Sequence, residues 1–230
     1  MAQQLPEHIG VIFDGNRRWA KAHGKEPFEG HAAGADRIFD FLSWCQEAGV
    51  ETVTLYLLSL ENFSRSPEEL KALTHIIVDV VNTIAQQGNY KAIHVGSEEV
   101  LPAELHDAIV QAEKQTKNHT GLKVNLAIAY GGRQEIVDAV KRYLAGEENL
   151  QQAITHLDVE QISKNTYNKG ETEPDLIIRT SGEKRLSGFM LWQSAYSEFY
   201  FCDVMWPDFS QKEFNDALKD FSGRKRRFGA

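Results

Sequence analysis

The sequence predicts a single α/β domain, built on a mostly parallel six-stranded sheet wrapped by helices. Three observations carry that prediction. Strand-like and helix-like segments alternate from end to end. The strand segments are near-continuous apolar runs, the pattern of strands buried on both faces. No repeat, low-complexity tract or linker interrupts the 230 residues, a length suited to one core.

Element by element, His8 to Phe13 is the first strand. Gly34 to Ala48 follows as a helix with Ala35, Ile38, Phe39, Leu42, Cys45 and Ala48 along one stripe, and Gly49 stops it. Val53 to Leu58 is the second strand. Ser66-Pro67-Glu68-Glu69 opens a helix running to about Gln87: Ser66 is the N-cap, Pro67 the first helical residue, and Glu69 completes a capping box. A short strand at Ala92 to Val95, a helix from Pro102 to about Lys117, and a strand from Leu122 to Tyr130 come next. Gln134 to Leu144 is helical, and the polar stretch to Lys169 holds two short helices. Asp175 to Arg179 and Phe199 to Val204 are the last strands, and Lys212 to Phe221 is a closing amphipathic helix.

Composition narrows the function. Acidic residues outnumber basic ones 33 to 25, for a net charge of −8, the wrong balance for a general nucleic-acid binder. Cys45 and Cys202 lie on predicted buried elements without metal-type spacing, so they are expected as free thiols in a reducing compartment. Eight scattered histidines show no zinc spacing. With no signal-peptide pattern at Met1 and no apolar stretch long enough to span a bilayer, the expected location is the cytoplasm.

Parallel sheets bind ligands beyond the carboxyl ends of their strands, and three loops at that edge carry the chemistry. The first is Asp14-Gly-Asn-Arg-Arg-Trp19 and the second Ser59-Leu-Glu-Asn62. The third is Arg179-Thr-Ser-Gly-Glu-Lys-Arg-Leu-Ser187. Guanidinium groups match phosphate oxygens in pairs and hydroxyls fill the remaining acceptors, so two arginine loops suggest a diphosphate. Asp14 can cap a turn, but beside Arg17 and Arg18 a carboxylate is most useful as a Mg²⁺ ligand, because Mg²⁺ binds few carboxylates plus substrate oxygens. Gly15 permits close backbone approach. There is no Walker or dinucleotide glycine motif, which weakens kinase and dehydrogenase readings. His31 is expected just ahead of the first long helix. Glu198, in an otherwise apolar stretch, requires a partner, either an arginine or a metal. Apolar residues such as Leu57, Ile76, Ile77 and Val80 fill a core or line a cleft for a greasy ligand.

Six motifs occur in order: Asp14-Gly-Asn-Arg-Arg-Trp-Ala20, Gly30-His31, Ser59-x-Glu-Asn-x-x-Arg65, Tyr130-Gly-Gly-Arg133, Arg179-Thr-x-Gly-Glu-x-Arg-x-Ser187 and Trp192-x-x-x-Tyr-x-Glu198. Together they resemble the cis-prenyltransferases, the undecaprenyl diphosphate synthase family. Their wording is most similar to the actinobacterial short-chain branch, the (2Z,6E)-farnesyl diphosphate synthases. The resemblance implies a homodimer whose sheet surrounds a hydrophobic tunnel. It also implies Mg²⁺-dependent condensation of isopentenyl diphosphate with an allylic diphosphate, geranyl diphosphate favoured. Peripheral membrane association is compatible with such substrates.

Carried over by position, the resemblance makes Asp14 and Asn62 catalytic, with Asp14 and Glu198 at the metal. Gly15, Asn16, Arg17, Arg18, Trp19 and His31 would cradle the allylic diphosphate. Ser59, Leu60, Glu61, Phe63 and Arg65 would frame the reacting carbons. Arg179, Arg185, Leu186 and Ser187 would hold isopentenyl diphosphate. Arg227-Phe-Gly229 resembles a family tail that reaches the partner subunit's diphosphate. Pro27 replaces a residue often basic, with Lys25 as a substitute, and Phe63 replaces a tryptophan. Long-chain members tend to have a small residue where Leu57 lies, so Leu57 is expected to stop chain growth early. The alternatives are a long-chain synthase, a non-catalytic partner subunit, and a coupling enzyme that joins two allylic diphosphates.

Overall fold

The computed structural model describes residues 5–87 and 90–224. Six strands form one sheet in the order β3-β4-β2-β1-β5-β6: β1 (His8–Ile12), β2 (Thr52–Ser59), β3 (Lys91–Val95), β4 (Lys123–Tyr130), β5 (Leu176–Arg179) and β6 (Glu198–Phe201). All five pairings are parallel. The helices are α1 (Asn16–Ala22), α2 (Pro27–Glu47), α3 (Pro67–Gln86), α4 (Ala103–Thr116), α5 (Gly132–Ala145), α6 (Leu150–His156), α7 (Val159–Asn165) and α8 (Gln211–Gly223).

The two-residue period of the strands assigns them to two cores. Ile9, Val11, Val53, Leu55, Leu126, Ile128, Leu176 and Ile178 face the larger core. Phe41 and Leu42 of α2, Ile77 and Val81 of α3, and Phe214 and Phe221 of α8 complete it. Ile12, Ala127, Tyr130 and Ile177 face a smaller one, closed by Phe189 and Met190. Cys45 and Cys202 are buried free thiols. Among the described residues, no helix is long and apolar enough to cross a membrane.

Two boundaries depart from expectation. Helix α2 begins at Pro27 rather than Gly34, so His31 lies inside the helix instead of ahead of it. The start is set by Pro27 at the first helical position and a capping box between Glu26 and Glu29. Gly30 and Gly34, which look like helix breakers, are contact points. A Cβ at Gly30 would lie 2.2 Å from the Asn16 carbonyl, and one at Gly34 would lie 2.5 Å from Asn16 Oδ1. Strand β6 ends at Phe201, short of Val204. The carbonyls of Cys202 and Val204 instead accept from Gly182 N and Ser181 N, both at 2.8 Å, tying down the loop after β5.

The sheet is irregular at one place that matters. Between β2 and β4 the register runs Tyr56–Ala127, Leu58–Ile128, Ser59–Tyr130. Leu57 is therefore an extra residue on one strand and Ala129, at φ 51°, the compensating one on the other. Such bulges re-aim side chains beside functional sites.

Candidate active site

Strands β1 and β5 are neighbours, so their carboxyl ends bring the first and third loops together. Asp14 Oδ2 accepts from Arg179 Nη2 at 2.6 Å, and Oδ1 accepts from Arg18 Nη2 at 3.1 Å. The Asp14 backbone is clamped by one hydroxyl: Thr180 Oγ1 accepts from Asp14 N at 3.0 Å and donates to Asp14 O at 2.6 Å. Arg179 is almost fully buried, and its Nη1 donates to Ser187 Oγ at 2.9 Å and to the Arg185 carbonyl. Arg18 also donates to Ser181 Oγ at 2.5 Å and to Ser181 O at 3.2 Å. Gly15 sits at φ 111°, and a Cβ there would lie 3.0 Å from Met205, so the turn closes only with glycine. Burial alone would raise the Asp14 pKa, but the hydrogen bonds and charges of Arg179, then of Arg18, hold it below the usual 3.8. Asp14 is an anion at neutral pH.

Two connected cavities open from this pair. The polar one, about 420 Å³, is bounded by Gly15, Arg17, Arg18, His31 and Arg65. Phe13, Asp14, Asn16, His31 and Arg65 are shared with the second, of about 300 Å³. That second cavity runs inward past Ser59, Asn62, Arg179 and Ser187 to an apolar end made by Leu57, Leu73, Ile76, Ile77 and Val80. Leu57 thus lines the cavity wall, aimed there from the bulge. Burial lowers the His31 pKa to about 4, with the charges of Arg65 and Arg17 adding to the effect against the opposing pull of Glu69. His31 is neutral at pH 7. Buried His31 Nε2 and Asn16 Oδ1 have no hydrogen-bond partner among the described residues, although both residues line the polar cavity.

The remaining expected residues divide. Asn62 Oδ1 accepts from Ser59 N at 3.0 Å, which fixes the turn after β2 as a short 3-10 helix, Leu60–Ser64. Leu60 covers Gly131, and Phe63 packs against the larger core; neither is among the residues around the two cavities described. Glu61 is exposed. Trp19 is not among the residues around either cavity: its Nε1 donates to Asp208 at 2.8 Å and its ring lies tilted against His23. Lys25 lies over that indole, ion-paired with Glu29 at 3.9 Å, and is not among the residues around either cavity. Arg185 is exposed and ion-paired with Glu183, while Leu186 packs on the smaller core. Glu198 sits at the amino end of β6, the opposite edge of the sheet from Asp14, and accepts from Arg224 Nη1 at 2.6 Å. Of the two partners open to Glu198, this chain supplies the arginine. Arg227 and Gly229 lie outside the described residues.

Several site residues carried no clear signal. Tyr56, from β2, lines the apolar cavity and its OH donates to Ser187 O at 3.2 Å. Burial, then the charge of Glu61, pushes its pKa upward, so the phenol keeps its proton. Glu69 was legible only as a capping residue, yet its Oε1 accepts from Arg65 at 2.9 Å and lies 3.6 Å from Arg17. Ser181 and Ser187 adopt φ 75° and 48°, strained conformations of the kind that cluster at binding sites.

Asp14 is the only carboxylate among the described residues that line the two cavities, and one carboxylate together with substrate phosphates is the donor set through which Mg²⁺ binds.

Comparison with known proteins follows the same lines. A family model described as putative undecaprenyl diphosphate synthase matches residues 12–229. Isoprenyl transferase 1 of Streptomyces avermitilis is 51% identical, over 98% of this chain and 90% of that protein. The (2Z,6E)-farnesyl diphosphate synthase of Thermobifida fusca is 49% identical, over 97% and 90%. Among solved structures, lavandulyl diphosphate synthase from Lavandula x intermedia, in complex with dimethylallyl diphosphate, superimposes with a TM-score of 0.91. It is 34% identical, covering 98% of this chain and 99% of that one.

Proposed function

The chain belongs to the undecaprenyl diphosphate synthase family and is a cis-prenyl diphosphate synthase; within that family we propose that it joins one isopentenyl diphosphate to geranyl diphosphate, giving (2Z,6E)-farnesyl diphosphate. The observation that carries the short-chain reading is Leu57 in the wall of an apolar cavity headed by the Asp14–Arg179 pair. Support also comes from relatives named (2Z,6E)-farnesyl diphosphate synthase and short-chain Z-isoprenyl diphosphate synthase.

The chemistry follows from charge placement. Ionising the allylic carbon–oxygen bond leaves negative charge on diphosphate and positive charge on hydrocarbon. Arg17, Arg18 and Arg65 ring the polar cavity that would take the leaving diphosphate. Neutral His31 adds a hydrogen-bonding nitrogen without repelling those arginines. Mg²⁺ held by Asp14 and diphosphate oxygens would stabilise the departing charge further. Arg179 and Ser187, which line the cavity beside Asp14, would hold isopentenyl diphosphate next to the allylic substrate, with exposed Arg185 as a further cation in the same loop. Ile38, Leu73 and Ile77 line the tunnel and keep water from the cationic carbon. The new carbon–carbon bond forms as isopentenyl diphosphate loses a proton. Asn62 is a poor base with its oxygen already engaged, so a diphosphate oxygen takes that proton.

The half-buried edge strand β6 and exposed Tyr196 support assembly as a homodimer, which sedimentation at micromolar concentration would test. Product analysis tests the function. Purified protein is incubated with Mg²⁺, isopentenyl diphosphate and geranyl diphosphate, and the products are identified by chromatography and mass. A fifteen-carbon Z-product is expected. Products of fifty or more carbons would establish the long-chain alternative. A branched product would establish coupling of two allylic units, and no turnover a non-catalytic partner.

A further inference from the structure

One buried ionisable group has no part in the chemistry above. Glu135, in the first turn of α5, is fully buried. Its Oε2 accepts from Tyr130 OH at 2.5 Å, and its Oε1 accepts from Tyr167 N at 2.9 Å and Gln193 Nε2 at 3.0 Å. All three are neutral donors, an expensive setting for a carboxylate unless the network serves a purpose. Burial raises its pKa, opposed by those same hydrogen bonds.

The two side chains it holds fix the segment 186–193 at its middle and at its end. Tyr130 meets the ring of Phe189 edge-on at 6.1 Å, and Gln193 closes the far end. Within the segment two non-glycine residues sit in the left-handed region, Ser187 at φ 48° and Met190 at 45°, while Gly188 takes φ 80° without strain. The segment's other fastenings converge on the same place. Gly132 N, at the start of α5, donates to Gly188 O at 2.8 Å, and Phe189 stacks on Tyr56 at 4.7 Å. Tyr56 in turn donates to Ser187 O, and Ser187 Oγ accepts from the Arg179 that grips Asp14. A conformation this unfavourable persists only when its surroundings over-determine it.

We propose that Glu135 is a positioning residue that clamps the strained 186–193 segment, and so sets the affinity for isopentenyl diphosphate. The inference rests on the assignment of Arg179, Arg185 and Ser187 to that substrate. Calorimetric binding of isopentenyl diphosphate and the KM for each substrate test it. Glu135→Ala is expected to weaken isopentenyl diphosphate binding about tenfold to a hundredfold, the span open to losing hydrogen bonds to a charged acceptor. The KM for geranyl diphosphate should stay within about twofold, because none of the residues bounding the polar cavity is bonded to Glu135 or to its three donors. Glu135→Gln can accept from Tyr167 N and Gln193 and donate to Tyr130, so it should restore most of the loss. Should Glu135→Ala not fold, Gln193→Ala cuts one strut alone, with an expected loss of about fivefold. A lowered melting temperature with unchanged isopentenyl diphosphate binding overturns the proposal, as does an equal rise in both KM values. Ser187→Ala separates the two levels. If it leaves binding intact, the substrate assignment itself falls. If it weakens binding while the Glu135 and Gln193 variants do not, only the clamp is wrong.

Discussion

Replacing Leu57 with Ala tests whether the cavity wall measures the product. Leu57 is half-buried and contacts the larger core on one side and the cavity on the other. The substitution removes three carbons from that wall. A fully buried Leu→Ala change costs roughly 2–5 kcal/mol, and a half-buried one at an existing cavity should cost about 1–2 kcal/mol by the same reasoning. At this chain length that corresponds to a melting point lowered by about 2–8 °C, so the variant should fold. The space freed is smaller than one five-carbon isoprenoid unit. Burying a full unit is worth about 4 kcal/mol at ~0.8 kcal/mol per carbon, enough to draw small shifts from Ile76 and Ile77, which line the same cavity. The product should therefore lengthen by one unit, from fifteen carbons to twenty, and no further. Labelled isopentenyl diphosphate with reversed-phase chromatography and mass would show this. An unchanged product from a well-folded variant would refute the reasoning, and so would a jump to fifty carbons, which would place the stop elsewhere.

Three further outcomes follow from other contacts. Arg179→Lys keeps the charge but loses the fork that reaches Asp14, Ser187 and Arg185 together. Its KM for isopentenyl diphosphate should rise about tenfold or more, and steady-state kinetics at saturating geranyl diphosphate would measure it. Buried His8, held between Thr54 Oγ1 at 2.7 Å and Thr172 O at 2.7 Å, has its pKa lowered from 6.5 to about 4 by burial. The unfolded chain therefore binds this proton first as pH falls. Stability is full above pH 6.5 and declines toward pH 4, by about 3 kcal/mol from this one group. Urea unfolding of the wild type and His8→Gln at pH 7.5 and 4.5 should show the difference between the two proteins shrinking in acid. Gly34→Ala drives a methyl into Asn16 Oδ1, 2.5 Å away. It should push α1 off α2 and raise the KM for the allylic substrate more than that for isopentenyl diphosphate.

The sequence by itself determined the sheet and the location of the site. Short, β-branched apolar runs bounded by turn residues read as buried strands, alternation with helices makes them parallel, and a parallel sheet collects its loops at one edge. Asp14, Arg18 and Arg179 were legible because charge at a strand end has few other uses. What the tertiary structure alone decided depends on register and on cross-chain distance, which local patterns do not encode. The paired bulges at Leu57 and Ala129 turn a strand residue into a cavity wall, and no periodicity announces them. Gly30 and Gly34 resembled a helix boundary because their reason, the backbone and side chain of Asn16, lies on another helix. Trp19 is held by Asp208, 189 residues distant in sequence, a partner no local pattern names. Glu198 declared its need for a partner, but only the packing of α8 against β6 brings Arg224 to it. Glu135 gave no sign at all. A glutamate in the first turn of a helix is ordinary capping chemistry, until the fold buries it.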